Sequence, residues 1–402
     1  MGYLKRVAAE RYRYAYEGPR VNGRRQQITG TFRDLNKTEA EARLAKLEAE
    51  ARGAECVRDP NLTFGDLLAT FMEHKQKQIK EKRFAVSTYE RYELYGKSYL
   101  TPAFGHVKVR DLRRGHLLDA YAKWSALGSA GKPLAGRSVR HLHDLTRAVL
   151  NFGIRRDVIA RNVAALIPAE ELPEAPKPEP VALNEAEVAQ LLEAAQNPSL
   201  RALRCGGLTA EPWFAAAVAF AIYTGARRGE VLGVQWSDVD FESNRVTIRR
   251  SLARTQSRGL LFKEPKNGKP RTVALPKPLV TMLEEHRQRQ ETERGLLGKG
   301  YKDDGLVFAR PDGSPVNPRS FGTRVIELAE RAKVKPITLH CLRDTHASLL
   351  AKSHVPIDVI SKRLGHADIR ITSERYLHVY EERDAQAAST LDSLVGQHSP
   401  RG

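Results

Sequence analysis

The sequence predicts a multidomain, mainly α-helical protein: a small β-sheet-plus-helix unit at the N-terminus, a helical middle domain, and an α-rich third domain with a small antiparallel β-sheet. Three observations carry this. A chain of 402 residues exceeds what one hydrophobic core fills, since single cores stop growing near ~250 residues. Period-two alternation is confined to the N-terminus and to a stretch between residues 245 and 275, while the remaining apolar residues recur at helical spacing. Prolines 168, 173, 176, 178 and 180 then break the chain into two halves.

From Tyr3 to Gly30 the pattern fits two or three short strands. It is clearest in Arg11-Tyr12-Arg13-Tyr14-Ala15-Tyr16, where Tyr falls on one face and Arg or Ala on the other. A helix follows from Thr38, rich in Ala, Glu and Leu. These elements define a first domain over residues 1–58. Residues 61–166 read as helices only, with Thr63-Phe64-Gly65-Asp66 and Ser87-Thr88-Tyr89-Glu90 both resembling capped starts. One of these helices, Arg137 to Phe152, interleaves Arg137, Arg140, His141 and Arg147 with Leu142, Leu145, Val149 and Leu150, giving an apolar stripe with a basic edge. Residues 167–180 read as a linker. The third domain runs over 181–395, with strands at Arg245–Arg249, Leu260–Lys263 and Arg271–Leu275, and 396–402 is left as a tail.

The 66 Lys and Arg outnumber 48 Asp and Glu, a net charge of +18 that attracts polyanions. Most of the excess lies before residue 166, which points to nucleic acid contacts in that half. No apolar run approaches the ~20 residues of a membrane span, and the N-terminus lacks the apolar centre of a secretory signal, so a soluble, cytoplasmic protein with no membrane partner is expected. Cys56, Cys205 and Cys341 are far apart and form neither a disulfide framework nor a zinc motif.

Four clusters in the third domain bear on chemistry. Thr224-Gly225-Ala226-Arg227-Arg228-Gly229-Glu230 closes an apolar helix and opens another, with Arg227 and Glu230 three apart on one face; alone, such a pair is usually a surface salt bridge. Pro265-Lys266-Asn267-Gly268-Lys269 reads as a hairpin tip, a common place for a solubilising lysine. His340-Cys341-Leu342-Arg343 sets an imidazole beside a guanidinium. Leu364-Gly365-His366 is followed by Tyr376-Leu377-His378, with Tyr380 a competing tyrosine. Together they supply what metal-free phosphodiester transfer requires. Arg227 and Arg343 can hold the non-bridging oxygens and Lys266 can protonate the leaving oxygen. His340 can accept or orient the tyrosine proton, His366 can add a hydrogen bond, and Tyr376 can attack. The chain has no phosphate-binding loop of the GxxxxGK[ST] form and no acidic cluster of a two-metal nuclease, so no cofactor and no metal are expected.

The order Arg…Lys…His-x-x-Arg…Gly-His…Tyr resembles the signature of the tyrosine recombinases, especially the integrases of phages and integrative elements. Trp236-Ser237-Asp238-Val239-Asp240 also fits. The resemblance implies an active site of Arg227, Lys266, His340, Arg343, His366 and the nucleophile Tyr376, supported by Glu230, with Lys263 and Lys269 flanking the lysine. It departs at Cys341, where Asp is frequent, and at Asp344, where His or Arg is frequent; Asp344 would temper the field at Arg343. It further implies that residues 61–166 form a helical SAM-like core-binding domain and residues 1–58 an arm-type DNA-binding domain. Arg11, Arg13, Arg24, Arg25, Arg137 and Arg140 are its candidate DNA contacts. A homotetramer on paired double-stranded DNA sites follows, with the tail around Ala385–Val395 docking on a neighbouring subunit. The protein would associate with the bacterial nucleoid when bound to DNA. The sequence leaves open a host DNA-bending protein and an excision factor as partners. A type IB topoisomerase-like enzyme and a catalytically silent DNA-binding regulator are the competing readings. The first is disfavoured by the two N-terminal domains, the second by retention of every candidate catalytic residue.

Overall fold

The computed structural model describes residues 3–21, 24–55, 59–128, 131–176, 179–197, 212–265, 268–376, 388–389 and 391–393, with the backbone alone for 18–21, 24–26, 46, 49–55, 212 and 375–376. It divides into two compact units, residues 1–177 and 178–402.

The first unit opens with an antiparallel meander, β1 (Tyr3–Ala8), β2 (Arg11–Val21) and β3 (Arg24–Arg33), in sequential order. The expected alternation holds at Tyr12 and Tyr16, which are buried with Phe32 under Ala40 and Leu44 of α1 (Lys37–Glu55), while Arg11 and Arg13 face outward. Tyr14 is half-buried, and its ring stacks on Phe32 at 4.2 Å between centroids. Gly30 lies opposite Tyr14, and a Cβ there would come 2.9 Å from Tyr14 Cε1, so the stacking requires glycine. Asn36 starts α1 by accepting the Glu39 N–H at 2.9 Å, and Glu39 accepts the Asn36 N–H in return at 3.1 Å.

Helices α2 (Phe64–Lys80), α3 (Val86–Tyr95), α4 (Thr101–Phe104), α5 (Arg114–Ala126) and α6 (Gly136–Arg155) then close around Phe64, Phe71, Phe104, Leu117, Leu142 and Leu145. Thr63 caps α2 as expected: its Oγ1 accepts the Asp66 N–H at 3.2 Å, and Asp66 accepts the Thr63 N–H at 3.1 Å. Ser87 does not cap α3, because the helix begins one residue earlier, at Val86, with Ala85 in the cap position and no side-chain bond. The stretch read as a linker starts as a strap. Arg140 donates from Nε to the Pro173 carbonyl at 2.8 Å, Arg114 pairs with Glu171 at 2.6 Å, and the boundary between the compact units falls only after Lys177.

The second unit contains α7 (Glu185–Gln196), α8 (Pro212–Thr224), α9 (Arg228–Val231), strands β4 (Val239–Asp240), β5 (Arg245–Ile248), β6 (Ser251–Thr255), β7 (Gly259–Lys263) and β8 (Arg271–Ala274), then α10 (Lys277–Leu297), α11 (Pro318–Arg331), α12 (Leu339–Lys352), α13 (Ile357–Leu364) and α14 (Arg370–Tyr376). Ala216 through Ile222 of α8 are all buried, and a helix with no polar face belongs at the centre of a core. The strand order corrects one expectation. β7 pairs with β6, whereas β8 pairs with β5 in a sheet ordered β4-β5-β8, so Pro265–Lys269 joins strands of two different sheets and is not a hairpin tip. Helix α10 carries Leu279, Leu283, His286 and Gln290 on its inner edge.

Candidate active site

The site grows from two glycine turns. Helix α8 stops at Gly225, whose φ of +64° is left-handed, and a Cβ there would come 2.7 Å from His346 Cδ2, so both the conformation and the space require glycine. The turn delivers Arg227 to the start of α9. There Glu230 accepts the Arg227 N–H at 2.9 Å and its Nη1 at 3.0 Å. Glu230 is only 1% exposed and holds a second cation, Arg271, whose Nη2 lies at 2.6 Å. Burial alone pushes this carboxyl up, but the hydrogen bond and charge of Arg271, with the N–H and charge of Arg227, outweigh it and hold Glu230 below its ordinary value.

The second turn ends α13 at Gly365, with φ 65° and ψ 48°. The Gly365 N–H reaches Lys362 O and the His366 N–H reaches Ser361 O, a left-handed helix end that points His366 away from α13. His366 Nδ1 pairs with the buried Thr372 hydroxyl at 2.7 Å, which fixes the ring against α14.

Arg343 ties the two turns together. It is 3% exposed, and its Nη1 and Nη2 donate at 2.7 Å to the carbonyls of Gly225 and Leu364, each two residues ahead of a candidate phosphate ligand. His340 is exposed one turn earlier on α12. Asp344 is buried beside Arg343. Thus Arg227, Glu230, Arg343 and His366 share one bonded frame. The backbone of Tyr376 closes α14, one turn beyond Thr372, while its side chain, Lys266 and Tyr380 lie outside the described residues. Among the described residues no group of His, Cys, Asp or Glu could hold a metal ion.

Sequence reasoning missed three members of this frame. Arg271 donates from Nε to the Arg363 carbonyl at 2.8 Å as well as to Glu230. Arg363 in turn reaches the Tyr223 carbonyl at 3.1 Å and His346 Nε2 at 3.5 Å. His346 Nδ1 faces the Ile222 carbonyl at 2.9 Å; a carbonyl only accepts, so this nitrogen carries the proton and Nε2 is the acceptor. Burial first, and the Arg363 charge second, push this imidazole down to about 3. One signal was available for Arg271: it is two residues from Val273 and opposite Ile248, so it sits on the sheet's buried face and demands a carboxylate partner.

The Phage integrase family profile matches residues 182–383, half of the chain. The chain belongs to this family. The family's N-terminal SAM-like domain matches residues 63–125. The integrase chain is similar to the XerC-like tyrosine recombinase of Caldanaerobacter subterraneus subsp. tengcongensis, 26% identical over 388 residues that span 91% of this chain and 92% of that one. It is also similar to the integrase of Mycobacterium phage D29, 23% identical over 405 residues, 98% and 97% of the two chains. Among solved structures, the Tn1549 transposon integrase in complex with a circular intermediate DNA has the same fold at TM-score 0.64, with 18% identity over 78% of this chain and 95% of that one. A lambda integrase dimer bound to a COC′ core site follows at TM-score 0.53 and 16% identity, covering 93% and 94%.

In the first unit of this integrase-family protein, Arg11 and Arg13 are exposed, and Arg11 pairs in register with Arg33 and Arg13 with Lys5, so basic residues gather on the open face of the sheet. The side chains of Arg24 and Arg25 lie outside the described residues. Arg137 is exposed at the start of α6, whereas Arg140 is engaged with the carbonyls of Ala169 and Pro173. No described helix is long and apolar enough to cross a membrane.

Proposed function

We propose that the protein is a site-specific DNA recombinase, an integrase that cleaves and rejoins double-stranded DNA through a covalent 3′-phosphotyrosine on Tyr376 and so integrates or excises a mobile element. The observation that carries this reading is the Arg343 bridge between the Gly225 and Leu364 carbonyls, which sets the Arg227 and His366 turns in one fixed relation. The names of the similar proteins, integrases and tyrosine recombinases, support it.

In the proposed reaction the Tyr376 oxygen attacks phosphorus, the bond to the 5′ oxygen breaks, and Lys266 supplies the proton that oxygen needs. Rejoining is the reverse step with a 5′-hydroxyl from a partner strand. A phenol ionises near pH ~10 unaided, so attack near neutrality depends on the surrounding cations. Arg227, Arg343 and His366 meet the charge that builds on the non-bridging oxygens, and His340 orients or deprotonates the phenol. The energy of the broken bond is kept in the phosphotyrosine, which makes ATP unnecessary. Residues 1–58 serve as an arm-binding domain and 61–166 as a core-binding domain, bridging distant DNA sites within a homotetramer.

The test is covalent trapping on a nicked duplex selected against the full chain from random sequence. Wild type should give a protein–DNA adduct in the presence of chelator and Tyr376→Phe should give none. An adduct that survives the substitution moves the nucleophile to Tyr380 or elsewhere, and binding without any adduct supports a silent regulator instead.

A further inference from the structure

The candidate ligands Arg227 and His366 come from turns 139 residues apart, and each turn is held by a contact to Arg271. We infer that Arg271 is a positioning residue of the strand-transfer site, a strut that sets the Arg227 and His366 groups at one spacing for a single phosphate. The inference rests on the recombinase reading above.

The geometry is that of a two-sided clamp. On one side Arg271 Nη2 donates at 2.6 Å to Glu230 Oε2, the same oxygen that accepts the Arg227 N–H at 2.9 Å, while Glu230 Oε1 accepts Arg227 Nη1 at 3.0 Å. Glu230 thereby aims the Arg227 guanidinium, and Arg271 aims Glu230. On the other side Arg271 Nε donates at 2.8 Å to the Arg363 carbonyl, three residues before His366. Its stem also fills the place a side chain at Gly365 would need, with Cδ 2.8 Å from an ideal Cβ there. Both ends of one planar guanidinium are therefore in use, in directions fixed by its fork.

A lysine cannot reproduce this. Its single ammonium could satisfy Glu230 or the Arg363 carbonyl, not both in the same plane. Arg343 bridges the same two turns through their backbones, whereas Arg271 reaches the carboxylate that orients the Arg227 side chain. In the proposed reaction Arg271 touches no reacting atom. Its effect runs through Arg227, and misplacing a charge-stabilising group by about 1 Å costs on the order of 10²-fold in rate.

The experiment uses the full chain and the selected nicked duplex in two forms, one with the ordinary scissile phosphate and one with a neutral methylphosphonate in its place. On the ordinary phosphate, Arg271→Lys should slow adduct formation by about 10²-fold, and combining it with Arg227→Ala should add little to the loss from Arg227→Ala alone. On the methylphosphonate, where less negative charge develops, both variants should recover to within about 10-fold of wild type. Thermal unfolding of each variant is measured alongside, and Arg271→Gln stands in if Arg271→Lys does not fold. Equal slowing on both substrates, or losses that multiply in the double variant, would overturn the positioning role and leave Arg271 a fold-stabilising residue. If wild type makes no adduct on either substrate, the recombinase reading itself has failed, an outcome distinct from failure of the strut.

Discussion

The helical core of the first unit and the core of the second bury polar groups in different ways. Around α2, α5 and α6 the core is mostly apolar, and its buried polar side chains, His143, Thr146 and Asn162, make local hydrogen bonds, such as Tyr121 Oη to His143 Nδ1 at 3.1 Å and Asn162 Nδ2 to the Arg147 carbonyl at 2.9 Å. In the second unit Glu230, Arg343, Asp344, Thr345 and His346 are all buried close to one another along the chain or through shared partners. Buried charges add little net stability over apolar residues of similar size, because desolvation offsets their attraction. What they add is direction: a guanidinium between two carbonyls has one orientation, whereas a leucine in a core has several neighbours and no preferred axis. The first unit needs a stable shape, and in the proposed reaction the second needs fixed vectors around one phosphate.

Removing Arg343 should break that contrast most severely. Arg343→Ala leaves the Gly225 and Leu364 carbonyls without their donors, at roughly 1–3 kcal/mol each. Adduct formation should fall by at least about 10³-fold, since the proposed charge-stabilising donor is lost and one of the two ties between the turns is cut, leaving the one through Arg271. Binding measured by gel shift should be largely kept, because the first unit is untouched. An active Arg343→Ala protein would sink the phosphate-clamp assignment.

Glu230→Gln ranks next. It removes the countercharge of Arg227 and Arg271, and breaking a buried pair from one side costs about 3–5 kcal/mol. The folded carboxyl lies below its ordinary 4.5, so its contribution is present above that value and lost as pH falls through the folded one. Urea melts of wild type and Glu230→Gln should therefore differ most near neutrality and converge in acid. A constant gap down to pH 3 would mean the ion pairs contribute nothing.

The histidines sharpen the comparison through pH. His286 donates from Nε2 to the Val307 carbonyl at 2.7 Å, and burial pushes it down to about 4. The unfolded chain takes up a proton near 6.5 while the folded one does not, so stability is full above pH 6.5 and is lost as pH falls toward 4. The loss is on the order of 3 kcal/mol for this one group, with His346 extending the same trend further into acid. His286→Gln keeps an N–H for Val307 and cannot titrate, so it should flatten the stability slope between pH 6.5 and 4. An unchanged slope would assign the acid sensitivity to other groups.

Much of the site was legible because its residues stand at helix ends marked by glycine, where Gly225 and Gly365 announce a turn and the polar residue after it has nowhere to go but outward. Arg343 was legible as a group but not as a bridge, since its partners are main-chain carbonyls that any sequence offers. Arg271 escaped because the one local signal, its spacing of two from Val273, does not say which face of the strand is buried; its meaning comes from β8 pairing with β5, which places it opposite Ile248. The same non-local pairing defeated the hairpin reading at Pro265–Lys269, because the β6–β7 excursion lies between two strands that are neighbours in space.

The smallest expected effect separates the two helix starts that the sequence presents as equivalent. Thr63 and Ser87 each precede an acidic residue by three positions, yet only Thr63 has the extended backbone of a cap, at φ −88° and ψ 162°, with its hydroxyl receiving Asp66 N–H. Ser87 is already the second residue of α3, with Ala85 in the cap position, and the amides of Thr88 and Tyr89 are donated to the Ala85 carbonyl at 3.1 Å each. Thr63→Ala should cost about 1 kcal/mol in a denaturant melt. Ser87→Ala should be neutral or slightly stabilising, because alanine is the better helix former. Equal losses at the two positions would mean that the register of α3 is shifted by one residue, and with it the face that Tyr92 turns toward Phe71.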